Sequence, residues 1–238
     1  MPDTDDTRRR ILGSGLAVAS TVLLLPAGAR AEKQGRGPGQ EKQVGAVEDL
    51  MREHGVLRRA LLVYEETAPK LSNSIDPKLL HQTATLFRTF GEDYHEKKLE
   101  ETYIFPVVRK AGGPAATYPD VLIAQHARGR EVTGYILAVT GKGRISTADA
   151  APLARAMTTF VLMYQNHAAR EDTVVFPAWK TALSDHQLDE LGEKFEEIEK
   201  QQFGSDGYED AVKEIGQIET ALGLADIAQF TPPPPPKA

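Results

Sequence analysis

Four stretches of this chain repeat apolar residues every three or four positions, and each places a histidine where an apolar residue is expected. Such spacing is typical of amphipathic α-helices that bury one face. The stretches span residues 44–67, 76–110, 118–140 and 147–181. Their histidines are His54, His95, His126 and His167. The pattern predicts an all-α protein, an up-down-up-down four-helix bundle followed by two short C-terminal helices, about 185–202 and about 207–223.

Local signals support two of the predicted helix starts. Asp76 followed by Pro77 fits an N-cap and a first helical residue. Ser184 with Gln187 resembles a capping box at the start of the fifth helix.

The two ends of the chain differ in composition from the helices. Residues 1–31 begin with basic residues, continue with an apolar run and end in small residues, which predicts an export signal. Thr7 to Leu12 resembles a twin-arginine signal, and the alternatives are an ordinary secretory signal or an uncleaved anchor. We therefore expect an exported, periplasmic or extracytoplasmic protein with no stable membrane span after signal cleavage. The predicted segments are the signal at 1–31, a linker at 32–43, the bundle at 44–181, a C-terminal helical extension at 182–224 and a proline-rich tail at 225–238.

Composition limits the chemistry that the bundle can carry. The 238-residue chain contains no cysteine and has a formal net charge of −6. The lack of cysteine excludes disulfides, thiolate metal sites and thiol nucleophiles. The acidic balance argues against a nucleic-acid partner, which would need a basic face. Any metal ion must therefore be held by histidine and carboxylate side chains.

Two of the four histidines open a repeated phrase. HEKKLEETYIFP, from His95 to Pro106, and HAAREDTVVFP, from His167 to Pro177, share a histidine, a glutamate, an acid, a threonine, two apolar residues and Phe-Pro. In an up-down bundle the two helices that carry the phrases run parallel, so both phrases can face the axis at the same depth. Buried imidazoles and carboxylates without partners cost roughly 2–7 kcal/mol each, and a metal ion would offset that cost for all of them.

The spacing within the two phrases differs by one residue. His167 and Glu171 are four residues apart and share a helix face, whereas His95 and Glu100 are five apart. Five residues correspond to about 140° on a regular α-helix, and a π-bulge restores a shared face. We predict a π-type irregularity between His95 and Glu100. The alternative is that Glu96 or Glu101 reaches the site instead.

Four imidazoles and two carboxylates exceed what one four-coordinate zinc ion needs. They suit two first-row ions with both carboxylates bridging. Ligation by nitrogen and oxygen without sulfur favours iron or manganese over copper or structural zinc. The candidate metal ligands are His54, His95, Glu100, His126, His167 and Glu171.

This set of residues resembles the hemerythrin-like, or HHE cation-binding, domain over about residues 44–181. The resemblance implies a carboxylate-bridged non-haem centre of two iron ions, with manganese or zinc as possible substitutes. It implies binding of O2 or a related small molecule such as nitric oxide or peroxide, for sensing, storage, protection or iron handling. The alternatives are a diiron oxidase or peroxidase-like enzyme and a metal-stabilised interaction module.

One departure from the family pattern concerns the third helix. Oxygen-carrying hemerythrins have a fifth histidine four residues before or after the one on that helix, where this chain has Leu122 and Arg130. One ion then keeps an extra open position, or water or a carboxylate such as Glu131 fills it. This departure puts reversible oxygen carriage in doubt, because a less saturated iron could react with oxygen, peroxide or nitric oxide or serve in iron handling.

The remaining candidates have weaker signals. His81 and His186 are expected at the surface. Glu92 with His95 matches the Glu-x-x-His motif of ferritin-like proteins, but the motif lacks the second copy that those proteins need. Tyr94 and Tyr164 lie close in sequence to proposed ligands. Each is expected either to pack in the core or to donate a hydrogen bond to a bound ligand.

Overall fold

The computed structural model describes residues 44–71 and 75–236. The predicted export signal and linker lie outside these residues. The described residues contain helices and turns but no β-strand. The α-helical segments are α1 (Ala46–Thr67), α2 (Pro77–Leu86), α3 (Phe105–Ala111), α4 (Pro119–Thr140), α5 (Thr147–Arg170), α6 (Phe176–Thr181), α7 (Asp185–Phe203) and α8 (Gly207–Leu222).

Two of the long helices change their winding part of the way along. The first π segment, Phe87–Ile104, joins α2 to α3, and the second π segment, Glu171–Val175, joins α5 to α6. The described α-helical segments therefore make six continuous helices. Each begins and ends close to where the apolar periodicity predicted it.

The predicted helix starts are confirmed in detail. The Asp76 carboxylate accepts a hydrogen bond from the Lys78 backbone N–H, and Pro77 is the first helical residue. Ser184 and Gln187 form a complete capping box at the start of α7. These local bonds satisfy N–H groups that the first helical turn leaves without partners.

The helices pack into one bundle with a shared apolar core. The helix α5 packs against α1 and α4, and the first π segment packs against α1 and α4. The C-terminal helix α8 lies against α1 and α2, while α7 contacts α1 and the first π segment. The all-helical bundle that the periodicity predicts is confirmed. No helix among the described residues is long and apolar enough to cross a membrane.

The π segments have a clear hydrogen-bond signature. The backbone N–H of Phe105 bonds to the Glu100 carbonyl, and that of Phe176 bonds to the Glu171 carbonyl, each five residues back. The predicted irregularity between His95 and Glu100 is confirmed, but it extends over 18 residues rather than one insertion. The second π segment was not predicted.

The repeated Phe-Pro pair marks the point where each π segment returns to an α-helix. Phe105 and Phe176 are fully buried. Pro106 and Pro177 follow them in the first turn of α3 and α6. A proline has no N–H to donate and its ring pushes away the carbonyl four residues back. The wider π turn therefore suits the residues just before a proline.

A close approach between α4 and α5 requires a glycine. The Tyr164 ring of α5 lies against Gly129 of α4, where an added Cβ would stand 2.0 Å from the hydroxyl oxygen. Tyr164 cannot easily move aside, because its hydroxyl donates to Glu96 at 2.7 Å and its ring packs edge-on against Phe87.

We expect Gly129→Ala to lower the free energy of unfolding by about 1–3 kcal/mol, the usual cost of overpacking a core. Gly134→Ala on the same helix is the matched control, because its nearest neighbour is an Arg88 nitrogen at 3.7 Å. That control should raise stability by up to about 1 kcal/mol, since alanine favours the helix. Urea denaturation followed by circular dichroism measures both, and equal effects would contradict the packing described here.

Candidate metal centre

The six candidate ligands come together inside the bundle. The structure brings their side chains into one cluster, supplied by α1, the first π segment, α4, α5 and the second π segment. All are buried, and none exposes more than 3% of its surface. The residues of the cluster are His54, His95, Glu100, His126, His167 and Glu171.

Glu100 lies between two groups of potential ligands. Its Oε1 is 3.2 Å from Nε2 of His95, and its Oε2 is 3.4 Å from Nε2 of His126. Glu171 also lies between two histidines, with Oε2 at 3.0 Å from Nε2 of His167 and 3.6 Å from Nε2 of His54. Each carboxylate is therefore placed where it can serve two neighbouring ions.

Each imidazole has its other nitrogen fixed by an oxygen acceptor. Nδ1 of His54 contacts an oxygen of Asp172 at 2.7 Å, and Nδ1 of His95 contacts an oxygen of Glu53 at 2.5 Å. Nδ1 of His126 contacts an oxygen of Glu101 at 2.9 Å, and Nδ1 of His167 contacts the side-chain oxygen of Gln125 at 2.9 Å. An ionised carboxylate or an amide oxygen can only accept, so each Nδ1 carries the hydrogen. All four Nε2 atoms therefore face the interior of the cluster, and each offers a lone pair there when its imidazole is neutral, the tautomer that metal-binding histidines adopt.

Several of these inward-facing atoms have no hydrogen-bond partner in the described structure. They are Nε2 of His95 and both side-chain oxygens of Glu100 and of Glu171. The Nε2 atoms of His126 and His167 also face each other, at 3.0 Å. Buried polar atoms rarely stay unpaired, and a cation among them would satisfy all of these lone pairs. The donor set thus fits a bound metal.

The residues that orient the imidazoles were not predicted in that role, and only Glu101 was named from the sequence, as an alternative to Glu100. Each is the sequence neighbour of a candidate ligand but serves a histidine on a different helix. Glu53 precedes His54 yet contacts His95, and Asp172 follows Glu171 yet contacts His54. Glu101 follows Glu100 yet contacts His126, and Gln125 precedes His126 yet contacts His167. The polar residue next to each ligand was the signal that could have found them.

The three carboxylates among these partners are themselves held by a second donor. The Arg58 guanidinium bonds to Asp172, and the Tyr94 hydroxyl donates to Glu53 at 3.1 Å. The Arg130 guanidinium donates to Glu101 at 2.7 Å. Bonded from both sides, these carboxylates fix the ring orientations rigidly.

Glu100, rather than Glu96 or Glu101, faces the inward nitrogens. Glu101 contacts His126 from the outer side, through Nδ1. Glu96 accepts from the Tyr164 hydroxyl at 2.7 Å and from Arg130 at 3.2 Å. Glu96, Glu101 and the outer face of His126 form a further acidic group, but the Arg130 guanidinium already supplies its positive charge.

The structure decides between the alternatives left open for three neighbouring residues. Glu131 does not fill a ligand position, because its side chain is 63% exposed and pairs with Arg128. Tyr94 and Tyr164 do not offer free hydroxyls to a bound ligand, because buried glutamates accept from both.

The two remaining histidines lie apart from the cluster. His81 is half-buried rather than at the surface, and it bonds to the Thr140 hydroxyl at 3.0 Å. His186 is 81% exposed, as expected.

The buried carboxylates and imidazoles of the cluster shift one another's pKa values. Burial would raise the pKa of Glu100, but His95 and His126 lower it well below its usual range. Burial and the nearby Glu100 charge raise the pKa of Glu171 well above its usual range. Burial and His126 lower the pKa of His167 to about 4. Two buried carboxylates this close cannot both hold a full negative charge without a cation.

A small cavity adjoins the cluster. Its volume of about 20 Å³ is enough for one molecule the size of water. The wall beside the ligands is mainly apolar, formed by Leu57, Leu61, Phe87 and Ala168. The cluster side of the cavity includes atoms of His54, His95, Glu100, His167 and Glu171.

Comparison with known proteins agrees with this geometry. The family model described as "Hemerythrin HHE cation binding domain" matches residues 45–179. Relatives include "Uncharacterized protein Rv1995" of Mycobacterium tuberculosis and "Uncharacterized protein Mb2018" of Mycobacterium bovis. Each is 38% identical over 233 residues, which covers 94% of this chain and 91% of the relative. No solved structure matches the chain.

Glu92 lies three residues before His95 but does not join the cluster. Its side chain is fully buried and accepts from the Thr133 hydroxyl, with the Arg88 Nε atom at 3.0 Å. Burial raises the pKa of Glu92 to about 7, despite the opposing effect of Thr133. The ferritin-like role of this residue is therefore not supported, and Glu92 links the first π segment to α4.

We expect Glu92→Gln to flatten the pH dependence of the free energy of unfolding of the metal-free protein. The folded carboxyl keeps its proton up to a pKa of about 7, against 4.5 for the ordinary group, so the folded state binds more protons between these values. The resulting stability is fully present below pH 4.5 and is lost as the pH rises through 7. The loss is on the order of 3 kcal/mol, from 1.36 kcal/mol per pKa unit. Urea titrations across this range measure it, and an unchanged slope in the variant would contradict the assignment.

Proposed function

The chain belongs to the hemerythrin HHE cation-binding domain family, and from that membership we propose that its buried cluster holds two iron ions and binds a small molecule. The observation that carries the proposal is the convergence of four imidazole Nε2 atoms on two buried carboxylates whose oxygens have no hydrogen-bond partner. Ligation by nitrogen and oxygen without sulfur suits iron or manganese.

We assign the six residues to two ion positions. His54 and His95 would hold the first ion, and His126 and His167 would hold the second. Glu100 and Glu171 would bridge them, because each lies near histidines of both pairs. Iron in such a site supplies affinity for O2, nitric oxide or peroxide and the ability to change oxidation state. The protein's own part is to orient the ligands through Nδ1 and to exclude bulk water.

The cavity supports a small ligand rather than an organic substrate. Its volume of about 20 Å³ admits a molecule of two or three atoms. Its apolar wall favours a neutral species such as O2 or nitric oxide. We therefore propose binding for sensing, storage or protection.

We further propose the up-down-up-down topology for the four long helices. Its support is the packing of α5 against both α1 and α4 and of α2 against α4. The short connections at 112–118 and 141–146 also favour antiparallel neighbours. An extracytoplasmic location is proposed from the signal-like composition of residues 1–31.

The test of the function is the metal content of the full chain, purified from its own cellular compartment, with optical spectra under air and under argon. Two iron ions per chain and a spectral change that reverses when oxygen is replaced by argon are expected. Irreversible oxidation with turnover of peroxide would contradict a binding protein and identify an enzyme. A chain without stoichiometric metal would overturn the proposal.

We expect Ala168→Leu to keep both metal ions but to lose most of the gas response, because the added isopropyl group fills the cavity beside the ligands. Ala169→Leu is the matched control, since Ala169 is the next residue of α5 and does not line the cavity. Metal analysis and gas-difference spectra measure both variants. A full gas response in Ala168→Leu would show that ligands bind elsewhere.

A further inference from the structure

We propose that the two metal positions are unequal in affinity and that Gln125 makes the position of His126 and His167 the weaker one. The inference rests on the proposed function, because it takes the cluster to be a two-metal site. Gln125 acts through His167 and is therefore a positioning residue.

The four imidazoles do not have equivalent partners. Three of the acceptors at Nδ1 are carboxylates, namely Asp172, Glu53 and Glu101. The fourth is the neutral amide oxygen of Gln125, 2.9 Å from His167. A carboxylate that accepts the Nδ1 hydrogen increases the donor strength of Nε2, and a neutral amide does so less. His167 is therefore the weakest nitrogen donor of the four.

Gln125 is also the least firmly anchored of the four Nδ1 partners. Each carboxylate partner receives a second hydrogen bond or ion pair, from Arg58, Tyr94 or Arg130. In the part of the chain that the structure describes, the Gln125 side chain bonds only to His167. A half-buried amide with one contact holds the ring less rigidly than a doubly bonded carboxylate.

The charged side chains around the two metal positions do not explain a difference in metal affinity. Each position has two outer carboxylates and one guanidinium beside it. These are Glu53, Asp172 and Arg58 near the first position, and Glu96, Glu101 and Arg130 near the second. Since the outer charges balance, we assign the difference in affinity to the direct hydrogen bond at Nδ1.

Unequal positions would make metal loading sequential. The first ion would enter between His54 and His95, where both imidazoles have carboxylate partners. The second would enter between His126 and His167 and would leave first when metal is scarce. Replacing an orienting partner of a metal ligand typically changes affinity about 10–100-fold, which sets the expected gap between the two steps.

The experiment is a calorimetric titration of the metal-free full-length chain with Co²⁺, with bound metal counted independently. We expect two equivalents, the second about 10–100-fold weaker than the first. His167→Ala should remove the weaker step and keep the tighter one. Gln125→Glu should strengthen the second step about tenfold or more and so reduce the difference in affinity between the two steps.

Gln165→Glu is the matched control, because it adds the same charge at an exposed position of α5 two residues from His167. Gln165→Glu should leave the difference in Co²⁺ affinity between the two steps unchanged. Two equal steps in the wild type, or an unchanged gap in Gln125→Glu, would overturn the inference while leaving the two-metal function intact. A chain that binds no Co²⁺ would overturn both.

Discussion

The candidate centre depends on four hydrogen bonds that determine which nitrogen of each histidine faces inward. An imidazole can present either nitrogen, and only an acceptor at Nδ1 commits Nε2 to the interior. Each acceptor comes from a helix other than that of its histidine, so the same bonds also join the helices to one another. The cost of burying so many polar groups is offset only if something satisfies the inward lone pairs, and a cation does so for all of them at once.

The helices were predictable from the sequence because their signals are local. Apolar periodicity, Asp76 before Pro77 and the Ser184 capping box depend on residues within one or two turns. The six clustered residues were predictable because a histidine at an apolar position is conspicuous, and because the two repeated phrases match Glu100 to Glu171 although their His-to-Glu spacings differ by one residue. That difference also predicted the π geometry at His95 and Glu100.

Which histidine each orienting partner contacts was not predictable, because that pairing depends on how the helices sit beside each other. Glu53 next to His54 gives no local sign that it will reach His95 on another helix. Glu131 is the opposite case, a residue that the sequence offered as a ligand and that lies outside the site. It stands five residues from His126, as Glu100 does from His95, but α4 keeps regular α-helical winding and Glu131 points to solvent. The length of the first π segment likewise exceeds what one extra residue indicates.

A crystal structure of the metal-loaded protein, with diffraction measured at the absorption edge of the bound metal, would show directly whether the buried cluster holds two ions. We expect two anomalous peaks inside the bundle, one beside Nε2 of His54 and His95 and one beside Nε2 of His126 and His167, with Glu100 and Glu171 between them. Metal bound only at the surface, or a cluster whose imidazoles bond to water instead of a cation, would contradict this expectation.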